Sequence, residues 1–241
     1  MKKVSKLFLM QAVLFGFAVA GWTQTANQQL IEAVTTSKYK KVVNAVEQQH
    51  ADVNTTYRDF GLNTPVLQLA AIPPYTSAKI FTYLARRPGI DLNKTSSMGD
   101  TALMAASEFL SKKELEVLFE KKNRKGRPVV KVNAKSQANW TAFLAAAQGG
   151  KVENAEFLKS KGADIYARDS FNNTALIIAS NAGKLEMAQY LVYIGLDYKS
   201  TNDMGQTAYD VARDPKVKGF LRRVKSSERQ VRAELKKQFA N

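Results

Sequence analysis

The stretch NNTALIIAS, residues 172–180, has three counterparts in this chain of 241 residues: GDTALMAAS (99–107), NWTAFLAAA (139–147) and GQTAYDVAR (205–213). Their threonines are Thr101, Thr141, Thr174 and Thr207, and the last two intervals are both 33 residues. An earlier member, NTPVLQLAA (63–71), supplies Thr64. A recurring period of this length marks a repeat architecture, in which each unit buries its apolar face only by packing against its neighbours.

A second register keeps step with the first. Leu118, Leu158 and Leu191 each stand 17 residues after a repeat threonine. The segments GIDLN (89–93), VKVN (130–133), GADIY (162–166) and GLDYK (195–199) each end eight residues before the next threonine. A first copy, from LIEAV (30–34) to HADVN (50–54), has the same internal spacing but lacks the threonine.

Each unit has a physical logic. The threonine hydroxyl can cap a helix N-terminus. A short first helix of small and apolar residues follows, and its alanines let two layers of helices approach closely. A break such as NAGK (181–184) leads to an amphipathic second helix, with Leu185, Ala188, Leu191 and Val192 at helical spacing. Gly162 and Gly195 stand where a left-handed residue ends that helix. Gly99, Asn139, Asn172 and Gly205, two positions before the threonines, predict a recurring tight turn with positive φ.

The spacing, with its G-x-T-A/P-L and G-A-D-I/V-N elements, resembles the ankyrin repeat family over residues 28–213. The resemblance implies an all-α fold: an ankyrin-type α-solenoid of helix-turn-helix repeats joined by β-turn loops, with about five to six repeats including caps. A capping copy (28–54) would precede repeats beginning at Thr64, Thr101, Thr141 and Thr174, with a shortened last copy from Thr207. Where the family carries a His after T-P-L, this chain has Met104, Leu144, Ile177 and Asp210, which predicts a drier helix junction.

Two repeats are stretched. The interval from Thr64 to Thr101 is 37 residues, and Pro73 and Pro74 within it predict a rigid extended connection between helices. The interval from Thr101 to Thr141 is 40, and all seven extra residues fall in EKKNRKGRPVVKVNAK (120–135), a surface loop after a second helix. Of the formal charge of +15, Lys2, Lys3 and Lys6 contribute three, residues 121–135 seven and residues 213–241 seven, so the remainder sums to −2. The basic character is therefore local to one loop and one tail. In the tail (214–241), Val217, Leu221, Val224, Val231, Leu235 and Phe239 predict a basic amphipathic helix. Its first half is expected to cover the end of the stack, and residues after Ser226 are left free to project.

At the N-terminus, Lys2, Lys3 and Lys6 precede the apolar run LFLMQAVLFGFAVA (7–20), which ends in Ala18-Val19-Ala20. This is the pattern of a secretory signal (1–20) cleaved near Ala20, with a periplasmic or secreted location as the expectation. The chain has no Cys, which excludes disulfides, thiolate zinc sites and Cys nucleophiles. Its one His, His50, has no catalytic setting in the sequence. Phosphate-loop, nucleophile-elbow, zincin and calcium-loop patterns are absent, so no enzyme, cofactor or metal is expected. Acidic residues such as Asp164 and Asp169 flank a turn and are expected to serve it.

The expected function is non-enzymatic protein–protein interaction, by a monomer, on the concave surface formed from turn tips and first helices. Turn-tip residues with the character of interface cores are Tyr57, Phe60, Met98, Trp140, Phe171 and Met204. Lys121, Lys122, Arg124, Lys125 and Arg127 would steer an acidic partner protein. The alternative is a polyanion or anionic membrane-surface binder acting through the basic loop 121–135 and the basic C-terminal helix. Nucleic acid fits poorly, since the loop has no interleaved aromatics and no groove-entering motif.

Overall fold

The computed structural model describes residues 24–59 and 61–239, so the expected signal segment and the candidate Phe60 lie outside the described residues. The chain forms helix pairs: α1 (Ala26–Thr35) and α2 (Tyr39–Glu47), α3 (Val66–Leu69) and α4 (Ala78–Ala85), α5 (Ala102–Phe109) and α6 (Lys112–Glu120). These are followed by α7 (Ala142–Gly149) and α8 (Val152–Ser160), α9 (Ala175–Asn181) and α10 (Leu185–Tyr193), then α11 (Ala208–Val211) and α12 (Pro215–Phe239). First helices α1, α3, α5, α7, α9 and α11 pack in chain order on one another, and second helices α2, α4, α6, α8 and α10 do the same. This is a helical repeat fold.

The caps form as the threonines predict. Thr101, Thr141 and Thr174 accept hydrogen bonds from the backbone N–H groups of Met104, Leu144 and Ile177. Those three apolar residues are buried, which makes the expected dry junction real. In the last copy, Asp210 takes the same place and accepts from both the hydroxyl and the N–H of Thr207. Alanines at the contact between first helices, among them Ala106, Ala146, Ala147 and Ala179, are fully buried. Gly149 marks the closest approach: a Cβ there would lie 2.3 Å from the carbonyl oxygen of Glu108. Asn154, on α8, is 1% exposed and donates to the carbonyls of Ser107 and Leu110, tying a second helix to the end of the preceding first helix.

Four expectations need correction. The first copy does have a capping threonine: Thr25 Oγ1 accepts from the N–H of Gln28, and the Thr25 N–H donates to the Gln28 side-chain oxygen. It stands 29 residues before Asn54, where Thr141 stands 25 before Tyr166, so α1 begins one helical turn early and hides the signal. Thr64 does not cap its helix. It lies in β2 (Leu62–Pro65), which pairs antiparallel with β1 (Thr56–Asp59), and α3 starts after Pro65 without a side-chain cap. The segment between Asn54 and Thr64 is two residues longer than its counterparts, enough for a true two-stranded hairpin, the one sheet among the described residues.

Third, Pro73 and Pro74 sit in a compact turn, not an extended connector: the Tyr75 N–H donates to the Ile72 carbonyl, and the Pro73–Pro74 peptide is cis. Proline offers no N–H to continue the ladder, and α3 ends after a single turn. Fourth, the tail does not project. The helix α12 breaks at Ser227, and its second half folds back. Arg223 pairs with Glu234 at 2.5 Å, although eleven residues of straight helix would span about 16 Å. Val231 and Leu235 are buried, and Phe239 packs on Tyr190 and Tyr193 with ring centroids 5.7 and 5.5 Å away. The Arg232 guanidinium donates to the carbonyls of Val192 and Leu196 at the end of α10. The apolar face of the tail thus faces the protein, and its first half covers the last repeat as expected.

Candidate functional site

One turn recurs before the first helices. The segments SSMGD (96–100), SQANW (136–140), DSFNN (169–173) and NDMGQ (202–206) share the same bonds. The leading side chain, Ser96, Ser136, Asp169 or Asn202, accepts from the N–H groups two and four residues ahead. The fourth residue has positive φ, between 55° and 81°, which explains Gly99, Asn139, Asn172 and Gly205. Asp164 and Asp169 serve turns through their carboxylates, as expected from the sequence.

The tips are stitched into a row. The N–H of Ser97 donates to Asn63, Gln137 to Met98, Ser170 to Ala138 and Asp203 to Phe171, all onto carbonyls at 2.9–3.1 Å. Side chains at the third turn position therefore stand side by side. Met98 is 46% exposed, Phe171 62% and Met204 73%, with Leu62 of the first hairpin at 47%. Ala138 fills the remaining place and is exposed. Tyr57 and Trp140 are different. Tyr57 is half-buried against Tyr75, ring centroids 6.4 Å apart, and burial, with Asp59 beside it, pushes its hydroxyl pKa up to about 12. Trp140 is half-buried against the core, and its backbone closes the turn with Ser136.

A second row lies at the ends of the second helices. Asn54, Asn93 and Asn133 each donate to a carbonyl of the next repeat, at Gly89, Val129 and Gly162, and each accepts an N–H from it, at Asp91, Lys131 and Asp164. Sequence reasoning passed over these bridges, although Asn93 and Asn133, eight places before their threonines, carried the signal. The ladder ends at Tyr166, which has no amide and is 67% exposed. His50 occupies the place taken elsewhere by Gly162 and Gly195, and it too has positive φ, at 55°. Its role is in the backbone turn.

The inserted basic loop is ordered. Asn123 accepts from the N–H groups of Lys125 and Arg127, the Asn123 N–H donates to Arg127, and Gly126 has φ 71°. This is the turn of the repeat tips, rebuilt as NRKGR (123–127) after a second helix. Lys121 stands apart from the other cations: its ammonium donates to the carbonyls of Arg87 and Ile90, and burial lowers its pKa. Lys122, Arg124, Lys125 and Arg127 are exposed and form no ion pair among the described residues.

Among the described residues no cluster of three metal-ligating side chains occurs, and no helix is long and apolar enough to cross a membrane. A family model described as ankyrin repeats (3 copies) matches residues 129–202. No curated protein matches the chain. Ankyrin repeats are in general protein–protein interaction modules and are typically non-enzymatic. With that match, the recurring turn and the paired helices, residues 129–202 are a run of ankyrin repeats.

Proposed function

We propose that the chain is a non-enzymatic scaffold, a solenoid of ankyrin repeats that binds another protein along its row of turn tips. The observation that carries this reading is the exposure of Leu62 and Met98 on two adjacent tips and of Phe171 and Met204 on two more, with the exposed Ala138 between the pairs. Contiguous exposed apolar side chains are costly to leave in water and mark contact surfaces, where Met and aromatics are enriched. Tyr57 and Trp140 support the tips from beneath. The apolar run and basic residues before Ala20 further support export, so the partner would be met outside the cytoplasm.

The test compares the chain with a Met98→Ser, Phe171→Ser, Met204→Ser variant as immobilised bait for proteins of the envelope and surroundings. These side chains contribute little to the fold, so thermal unfolding should be unchanged. The variant should lose the proteins that the unaltered chain captures. Equal capture by both would refute the tip row as the binding surface. Export is checked by sequencing the N-terminus of chain recovered outside the cytoplasm, which should begin just past Ala20.

The alternative, an anionic surface held by the loop and tail, is favoured by the exposed cations Lys122, Arg124, Lys125 and Arg127. Against it stands the tail, whose apolar face is packed on α10 rather than offered to lipid.

A further inference from the structure

The loop at 122–128 repeats the tip turn in detail, yet it stands outside the tip row. In the row, the second residue of a turn donates its N–H to the third residue's carbonyl on the neighbouring tip. The corresponding groups here are the Arg124 N–H and the Lys125 C=O, and among the described residues neither has a backbone partner. The base of the loop is held firmly: Val129 donates its N–H to Lys121, the Asn93 amide donates to Val129, and the Lys121 ammonium sits on the end of the previous repeat. Residues 122–129 are all exposed, and among the described residues no carboxylate pairs with the four cations.

We propose that this finger is a second docking element, which binds an acidic, extended segment of a partner protein. The inference rests on the protein-binding reading above and adds a separate contact to it. The Arg124 N–H and the Lys125 C=O, whose counterparts in the row serve the tips on either side, match the main-chain carbonyl and N–H groups of an extended segment laid against the turn. The four cations match carboxylates, and a turn already closed by Asn123 and Gly126 loses little conformational entropy on binding. With the rest of the repeats near neutral, this charge is concentrated at one point. A lipid phosphate could use the charge and accept from the Arg124 N–H, but a polypeptide also brings a main-chain N–H for the Lys125 C=O, which is why a polypeptide is the better occupant.

The test measures binding of a labelled oligo-glutamate peptide to the full chain by fluorescence anisotropy, at low and high salt, beside phosphatidylserine vesicles. Lys122→Gln, Arg124→Gln, Lys125→Gln, Arg127→Gln together should weaken peptide binding about tenfold or more and flatten its salt dependence. Neutralising Lys216, Lys218, Arg222 and Lys225 removes equal charge from the tail and should change it less than about twofold. Asn123→Ala with Gly126→Val keeps every charge but opens the turn, and should weaken binding about threefold or more. Equal loss in the two neutralised variants, unchanged affinity in the opened turn, or vesicle binding without peptide binding would each overturn the proposal. The tip-row serine variant should still bind the peptide. If peptide binding is absent while tip-dependent capture persists, the finger fails and the scaffold reading stands.

Discussion

Gly149, the one glycine of α7, carries a constraint set by the neighbouring helix. It ends α7 with ordinary helical geometry, so its backbone would accept alanine, but the Glu108 carbonyl occupies the place of a Cβ. Backbone cannot swing aside as a side chain can, so Gly149→Ala must push α5 and α7 apart along a contact lined by Ala106, Ala146 and Ala147. Overpacking of this kind costs about 1–3 kcal/mol. Urea denaturation should show the lower midpoint, and an unchanged midpoint would mean that the two helices are less tightly apposed. His50 and Asn123 teach the complementary lesson. Each was visible in the sequence only as a type, a lone imidazole or one polar residue in a basic run. Each proves to be defined by backbone geometry, a positive φ and a closed turn.

Helices and turns were legible to different degrees. The second helices were readable from their apolar spacing, and the first helices from the threonine that opens them. That threonine caps after a short turn, with a single bridge at Thr101 and Thr174 and none at Thr141, and fails where the chain before it forms a full hairpin, as at Thr64. Thr141→Ala should therefore cost about 1–2 kcal/mol by leaving the Leu144 N–H without its partner in a buried junction. Thr64→Ala should stay within about 0.5 kcal/mol, because that threonine caps nothing. Paired thermal or urea unfolding of the two variants checks the difference, and equal costs would mean that capping is not what the repeated threonine supplies. The turn itself, with its leading Ser, Asp or Asn, was half seen. The glycine and asparagine positions were evident, while the anchoring side chain three places earlier varies in type and hides among ordinary polar residues.

The stack behaves as a row in which each unit touches only its neighbours, so the ends need covers. The tail supplies one with both of its halves. Deleting residues 228–241 removes Val231, Leu235 and Phe239 from α10 and takes the Arg232 guanidinium from the Val192 and Leu196 carbonyls. Amide exchange should quicken in α9 to α11 while α1 to α4 keep their protection, since contacts in the row are local. Uniform loss of protection along the chain would show instead that the repeats unfold as one unit.

Period, helix pairing, the caps at Thr101, Thr141 and Thr174 and the placement of one insertion followed from the sequence, because they depend on spacing and on chemistry within a few residues. The return of the tail, the two rows of bridging bonds, the seating of the Lys121 ammonium on two carbonyls and the exposure of the tip side chains did not. Those properties arise between residues about 30–40 positions apart, such as Lys121 with Arg87 or Arg232 with Val192. Whether a cation is spent on a helix end or left for a partner depends on which carbonyls the packing brings within reach, and only the folded chain decides that.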